Sequence, residues 1–134
     1  MILGIGTDIV AVSRIRAVCE RRGERFARRI LHAGEWSGYC DAADPARLLA
    51  RRFAAKEAVA KALGTGFRSG VGPSQIEVVH DARGAPGVRL HGAAADCVAA
   101  RGQARLWLSI SDERDYAVAY ALLEEAADCG DSSV

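Results

Sequence analysis

Two acids and an amine carry the chemistry that can be read from this chain. Asp8 stands near the start, and Glu57 and Lys61 lie in the stretch RRFAAKEAVAKALGTG, residues 51–66. That stretch holds both lysines of the chain, Lys56 and Lys61, against sixteen arginines in all. In a helix, residues four apart share a face, so Phe53, Glu57 and Lys61 form one row pointing toward Gly64, with Lys56 about 100° round from Glu57. Taken alone, Glu57 and Lys61 could be a solvated i,i+4 ion pair contributing about 0.3 kcal/mol. Three features argue for more. Asp8 is an acid inside an otherwise apolar strand, and such a group needs a partner or a metal. The helix runs into GTGFRSGVGP, residues 64–73, whose four glycines let backbone amides approach phosphate oxygens. Arg52 and Arg68 flank the row. Two carboxylates, completed by water and substrate phosphates, are a usual way to hold Mg²⁺, and a nearby lysine acts on phosphate as a point charge.

The elements that must position these groups follow from local pattern. Residues 2–10 alternate as a strand, with Ile2, Gly4, Gly6, Asp8 and Val10 on one face and Leu3, Ile5, Thr7 and Ile9 on the other. The glycines leave room beside Asp8 for something to approach. Ser13 reads as the cap of a helix near 14–22; Gly23 interrupts it, and a second piece covers 24–31. One helical turn is expected near 35–39. Asp44-Pro45 is a strong helix start, followed by helix formers to Leu63 and a glycine stop at Gly64. Strands at 75–80 and 87–90 flank the turn DARGAP as a hairpin, a short helix covers 93–100, and strands at 106–111 and 116–123 form a second hairpin around DERD. Helices and strands mix without strict βαβ alternation, so the class is α+β: antiparallel hairpins packed with a long central helix.

Composition narrows the function classes. A chain of 134 residues, half hydrophobic and 26% charged, fits one domain, expected over 1–123 with an acidic, flexible tail at 124–134. No apolar run approaches the ~20 residues of a membrane span, and MILGIGTDIV lacks a signal peptide's basic start. Cys19, Cys40, Cys97 and Cys129 are scattered without a CxxC pair and read as reduced thiols of a cytoplasmic protein. The net charge of +1 hides residues 14–29, where seven arginines face Glu20 and Glu24. The sequence lacks a Walker A motif, a Rossmann fingerprint after a strand and a GxSxG elbow. His32, His80 and His91 show no metal-ligand spacing and read as surface or turn residues.

GIGTDIV at the N-terminus, FARRIL at 26–31, RFAAKEAVAKALGTG at 52–66 and LSISDERDYAVAYAL at 108–122 resemble, in order and spacing, the holo-[acyl-carrier-protein] synthases, the short bacterial 4′-phosphopantetheinyl transferases. The resemblance implies their fold and a homotrimer with sites between subunits. It implies transfer of 4′-phosphopantetheine from coenzyme A to a serine of an acidic apo acyl carrier protein, for fatty acid biosynthesis, with adenosine 3′,5′-bisphosphate released. No nucleic acid or membrane is expected as a partner. By the same resemblance Asp8 and Glu57 hold Mg²⁺, or Mn²⁺, and with Lys61 form the catalytic set. Arg52, Phe53, Lys61, Gly64 and Gly66 line the coenzyme A pocket, and Arg14, Arg25 and Arg29 meet the carrier. Asp112 stands where some relatives place a histidine against the nucleotide. Glu35 and a metal-bound water are the candidates for general base. Two alternatives are a broader-specificity transferase, which at this length is disfavoured because such enzymes are about twice as long, and a non-catalytic CoA-binding trimer.

Overall fold

The computed structural model describes residues 1–127, so most of the expected tail lies outside the described residues. The element order is β1 (Ile2–Ala11), α1 (Val12–Arg22), α2 (Glu24–Ile30), a 3₁₀ turn (Ala33–Glu35), α3 (Trp36–Asp41), α4 (Pro45–Ala62), a 3₁₀ turn (Pro73–Gln75), β2 (Ile76–His80), β3 (Pro86–Leu90), α5 (Gly92–Ala99), β4 (Ala104–Asp112) and β5 (Tyr116–Glu125). One antiparallel sheet has the order β1-β5-β4, and β2 and β3 form a separate hairpin. The α+β class and both hairpins are as expected. β5 continues to Glu125, two residues into the segment expected to be tail.

Helix α4 organises the molecule. The Asp44 side chain accepts from the Arg47 N–H at 3.2 Å, Pro45 occupies the first turn, and Gly64 follows the helix with φ +82°. Arg16 grips Asp44 through two hydrogen bonds of 3.2 and 3.1 Å, tying α1 to that start. Helix α1 begins at Val12, capped by the Ala11 backbone alone, so Ser13 is inside the helix rather than its cap.

The contact between α4 and the sheet is built from the smallest side chains. Ala54, Ala55, Ala58 and Ala62 are buried on the helix, as are Ala117, Ala119 and Ala121 on β5. In β1 the glycine face turns inward and the isoleucine face outward: Gly6 and Val10 are buried, while Ile5 and Ile9 are exposed. The room beside Asp8 is therefore taken by the helix itself. A β-carbon at Gly6 would collide with the Ala58 carbonyl oxygen and lie 2.8 Å from Ala62 N and 2.9 Å from Lys61 Cβ; one at Gly4 would collide with the Ala62 carbonyl. These are mostly backbone atoms that cannot turn away. Gly6→Ala is expected to cost about 1–3 kcal/mol of stability by overpacking and to shift α4 against β1. Its denaturation midpoint checks this, and an unchanged midpoint would contradict the packing described.

Candidate functional site

Strand β1 and helix α4 run in backbone contact, which brings Asp8 to Lys61 although 53 residues separate them. Lys61 Nζ donates to Asp8 Oδ1 at 3.1 Å and to the Thr7 carbonyl at 2.9 Å. One turn earlier on α4, Glu57 is half-buried beside them. Its carboxyl is held above the ordinary range, first by burial, then by the negative charge of Asp8 and a hydrogen bond shared with it, against the smaller opposing effects of Lys61 and Arg14. Asp8, Glu57 and Lys61 are thus together, with Arg14 near enough to act on them. A shallow hollow of about 270 Å³ lined by Ile5, Gly6, Thr7, Lys61 and Tyr120 opens beside the lysine.

The donor set suits a hard divalent cation. A cation between the two carboxylates would relieve the charge that Asp8 places on Glu57, and oxygen donors with open positions suit Mg²⁺ or Mn²⁺. The loop after α4 keeps Gly64 and Gly66 at positive φ, +82° and +58°, and folds back so that the Gly66 N–H donates to the Ala60 carbonyl at 3.0 Å.

Other residues expected at the site are placed differently. Phe53 lies against the core with its ring 6.4 Å from that of Phe26. Arg25, Arg29, Arg21, Arg22 and Phe26 surround a separate hollow of about 260 Å³. Arg14 does not line that hollow. Phe26 and Phe53 connect it to the helix face that carries Glu57.

Arg52 is mostly buried, its Nε 3.5 Å from Glu35 Oε2 without a hydrogen bond; burial lowers its pKa, opposed by Glu35. Glu35 is also buried and accepts from Lys56 Nζ at 2.6 Å and from the His32 N–H at 2.9 Å. Lys56 has no exposed surface and donates as well to the carbonyls of Pro73, at 3.0 Å, and Ile76. Burial lowers the Lys56 pKa, and Glu35 opposes this. Lys56 is therefore a structural post that binds the glycine loop and β2 to α4, and Glu35 is sealed against it.

Asp112 is gripped by Arg47 at 3.2 Å and lies 3.7 Å from Arg51, and Arg47 also donates to the carbonyls of Glu113 and Arg114, both at 2.8 Å. Its charge is spent on the start of α4. Cys19, Cys40 and Cys97 are free thiols, and Cys129 lies outside the described residues.

Sequence reasoning missed two groupings. The buried Glu35–Lys56 pair carries one local signal, the His32-x-x-Glu35 spacing of a capping box, with histidine in place of the usual Ser or Thr. The second corrects the reading of the histidines: the His32 and His91 rings stack at 4.1 Å beside the buried Glu77, while His80 lies apart at the exposed end of β2.

Residues 4–121 match the family model described as the 4′-phosphopantetheinyl transferase superfamily. A relative from Halorhodospira halophila, named holo-[acyl-carrier-protein] synthase, is 57% identical over 123 residues, covering 92% of this chain and 98% of that one. The crystal structure of the synthase of that name from Neisseria meningitidis superposes with a TM-score of 0.88 at 43% identity, over 93% of this chain and all of that one. A synthase from Bacillus anthracis, described as a complex with CoA (3′,5′-ADP), matches with a TM-score of 0.79 at 34% identity, over 94% of this chain and 99% of that one.

Proposed function

The chain belongs to the 4′-phosphopantetheinyl transferase superfamily, and on that premise we propose that it is a holo-[acyl-carrier-protein] synthase. It moves the 4′-phosphopantetheine arm of coenzyme A onto the serine of an apo acyl carrier protein and releases adenosine 3′,5′-bisphosphate. One observation carries this reading beyond the family likeness: Lys61 bonds Asp8 while the carboxyl of Glu57, beside them, is held above the ordinary range by burial and by Asp8. Of the three, Lys61 also lines the adjoining hollow.

In this reading Asp8 and Glu57 hold Mg²⁺, which when bound neutralises charge on the coenzyme A diphosphate and helps to position it. The serine oxygen attacks the phosphorus that carries the pantetheine arm. The new P–O bond forms as the bond to the bridging oxygen breaks, and the electron pair leaves with the nucleotide phosphate. Lys61, its ammonium already aimed at Asp8, stabilises charge on the transferring or leaving phosphate. Arg52 serves the nucleotide from beneath, its buried guanidinium held near Glu35. Gly64 and Gly66 line the nucleotide pocket by the close turn they allow, their own N–H groups being taken by the carbonyls of Lys61 and Ala60. Glu35, enclosed by Lys56, does not take the serine proton, which passes to a water at the open site.

The outer face of the sheet supports a trimer. Ile5, Ile9, Trp107, Tyr116, Val118 and Tyr120 are all exposed on it, and it is contiguous, since Ile9 pairs with Val118, and Thr7 and Ser109 both pair with Tyr120. An apolar face of this kind marks an interaction surface. Because Ile5 and Tyr120 also line the hollow beside Lys61, a neighbouring subunit packed there would complete the site. No described helix is long and apolar enough to cross a membrane; with coenzyme A as substrate and three free thiols, we place the reaction in the cytoplasm.

The carrier meets the arginines of α1 and α2. Charge-reversing Arg25 and Arg29 together is expected to raise KM for the carrier by about tenfold, and to flatten its salt dependence, through slower encounter. Binding of coenzyme A should be unchanged. A KM equal to the parent's would remove this surface from the reading. The reaction itself is tested by intact mass of an apo carrier protein after incubation with the chain, coenzyme A and Mg²⁺, with and without chelator. A chelator-sensitive gain of one phosphopantetheine is expected; coenzyme A binding without any gain would leave only a binding protein for that carrier.

A further inference from the structure

A second set of ligating side chains lies apart from the carboxylate–lysine site, where three distant segments converge. His32 ends the run after α2, Glu77 is the second residue of β2, and His91 caps α5 after β3. His91 Nε2 is 3.0 Å from Glu77 Oε1, and His32 Nδ1 is 3.6 Å from Glu77 Oε2. One ligand atom from each of the three lies within 4.8 Å of the others. We propose that His32, Glu77 and His91 bind a borderline transition-metal ion of the zinc class.

The distances carry the argument. Ligands about 2.0 Å from a tetrahedral zinc stand about 3.3 Å from one another; the two imidazoles lie 3.0 and 3.6 Å from Glu77, one at each carboxylate oxygen, so small shifts bring a ligand atom of each residue onto one ion. Two imidazoles and one carboxylate, with a fourth position left to water, make an open zinc site. Imidazole donors favour zinc, nickel and copper over magnesium, so this site and the Asp8–Glu57 site select different ions. The carboxylate is fixed in advance: the Glu77 side chain is only 8% exposed, and a β-carbon at Gly34 would collide with its Oε2. Both histidines are partly exposed and reachable from solvent.

Binding changes the present contacts in definable ways. The stacked rings, now 5° from parallel, must tilt so that their in-plane lone pairs converge. The Gly34 N–H, which donates to His32 Nδ1 at 3.0 Å from an exposed position, passes to water. Arg89, 3.6 Å from Glu77 Oε1 on a side chain 67% exposed, swings outward. The ion would then clip the segment before α3 to the β2–β3 hairpin and α5. Because the Glu35 side chain caps the His32 N–H, this clip would brace the wall behind Lys56.

The test titrates Zn²⁺ into the full chain with Mg²⁺ saturating, against a chromophoric chelator, and repeats it with Co²⁺ for its absorption spectrum. One Zn²⁺ per chain is expected, with a melting temperature raised by several degrees. His91→Gln and His32→Gln should each weaken binding by more than about tenfold, whereas His80→Gln should not. Circular dichroism confirms that each variant folds, and His91→Gln serves alone if His32→Gln does not. Co²⁺ should show visible bands of nitrogen and oxygen ligation. Absence of binding, affinity indifferent to both substitutions, or an intense Co²⁺–thiolate band from the cysteines would overturn the proposal. None of these readouts depends on transferase activity.

Discussion

Glu57→Gln is expected to abolish phosphopantetheine transfer while leaving the fold intact. The glutamine fills the same space but offers the metal no charge, and Asp8, bonded to Lys61, would face the diphosphate alone. Losing the ion's stabilisation of developing phosphate charge costs about 10²–10³-fold in rate. Stability should move the other way. Glu57 is held above the ordinary carboxylate range by burial and by Asp8. The folded state therefore binds more protons than the unfolded one between the ordinary carboxylate pKa and the raised one. Stability without divalent cation should fall as pH rises through that window. Mg²⁺ should lessen the fall, and the glutamine variant should lack it. Rates by intact mass, together with melting temperature against pH with and without Mg²⁺, check both arms. A variant within tenfold of the parent's rate would remove Glu57 from the catalytic set.

The largest loss of stability is expected from Lys56→Met. The lysine is wholly buried, and its three acceptors are Glu35 Oε1 and the carbonyls of Pro73 and Ile76. Removing one partner of a buried ion pair costs about 3–5 kcal/mol, because the other charge stays buried and uncompensated. Here two carbonyls lose their donor as well, and Arg52, 3.5 Å from Glu35 Oε2, restores only part of the balance. Adding Glu35→Gln to Lys56→Met should recover a measurable share, since the two sites share one network. Denaturant titration of the single and double variants measures the coupling. A single-variant loss below about 1 kcal/mol would show that Lys56 is not the post described.

The row Phe53–Glu57–Lys61 was legible because helical periodicity is a local property and α4 announces both its ends. The partnership with Asp8 rested on chemistry alone, a buried acid in need of a partner or a metal and two carboxylates suited to Mg²⁺, since nothing in the spacing brings residue 8 to residue 61; the family resemblance implied the same set. Alternation in β1 sorted its residues into two faces without saying which is inward. An alanine-rich helix seats on glycines, so the isoleucines that look like core are exposed in the single chain. Glu35 and Lys56 could not be matched by pattern, because a buried ion pair between distant segments leaves no periodic trace. The same holds for His32, Glu77 and His91, which meet only through the path of the β2–β3 hairpin. Asp112, which stands where some relatives place a histidine against the nucleotide, is bonded to Arg47.

The complete enclosure of Lys56 has a practical side. The chain has only one other lysine, and the Lys61 side chain is 52% exposed. Apart from the terminal amine, an amine-selective label therefore has a single lysine to react with, and that lysine is the group beside Asp8. Protection of this one position by coenzyme A would report occupancy of the pocket directly, without a carrier protein and without turnover.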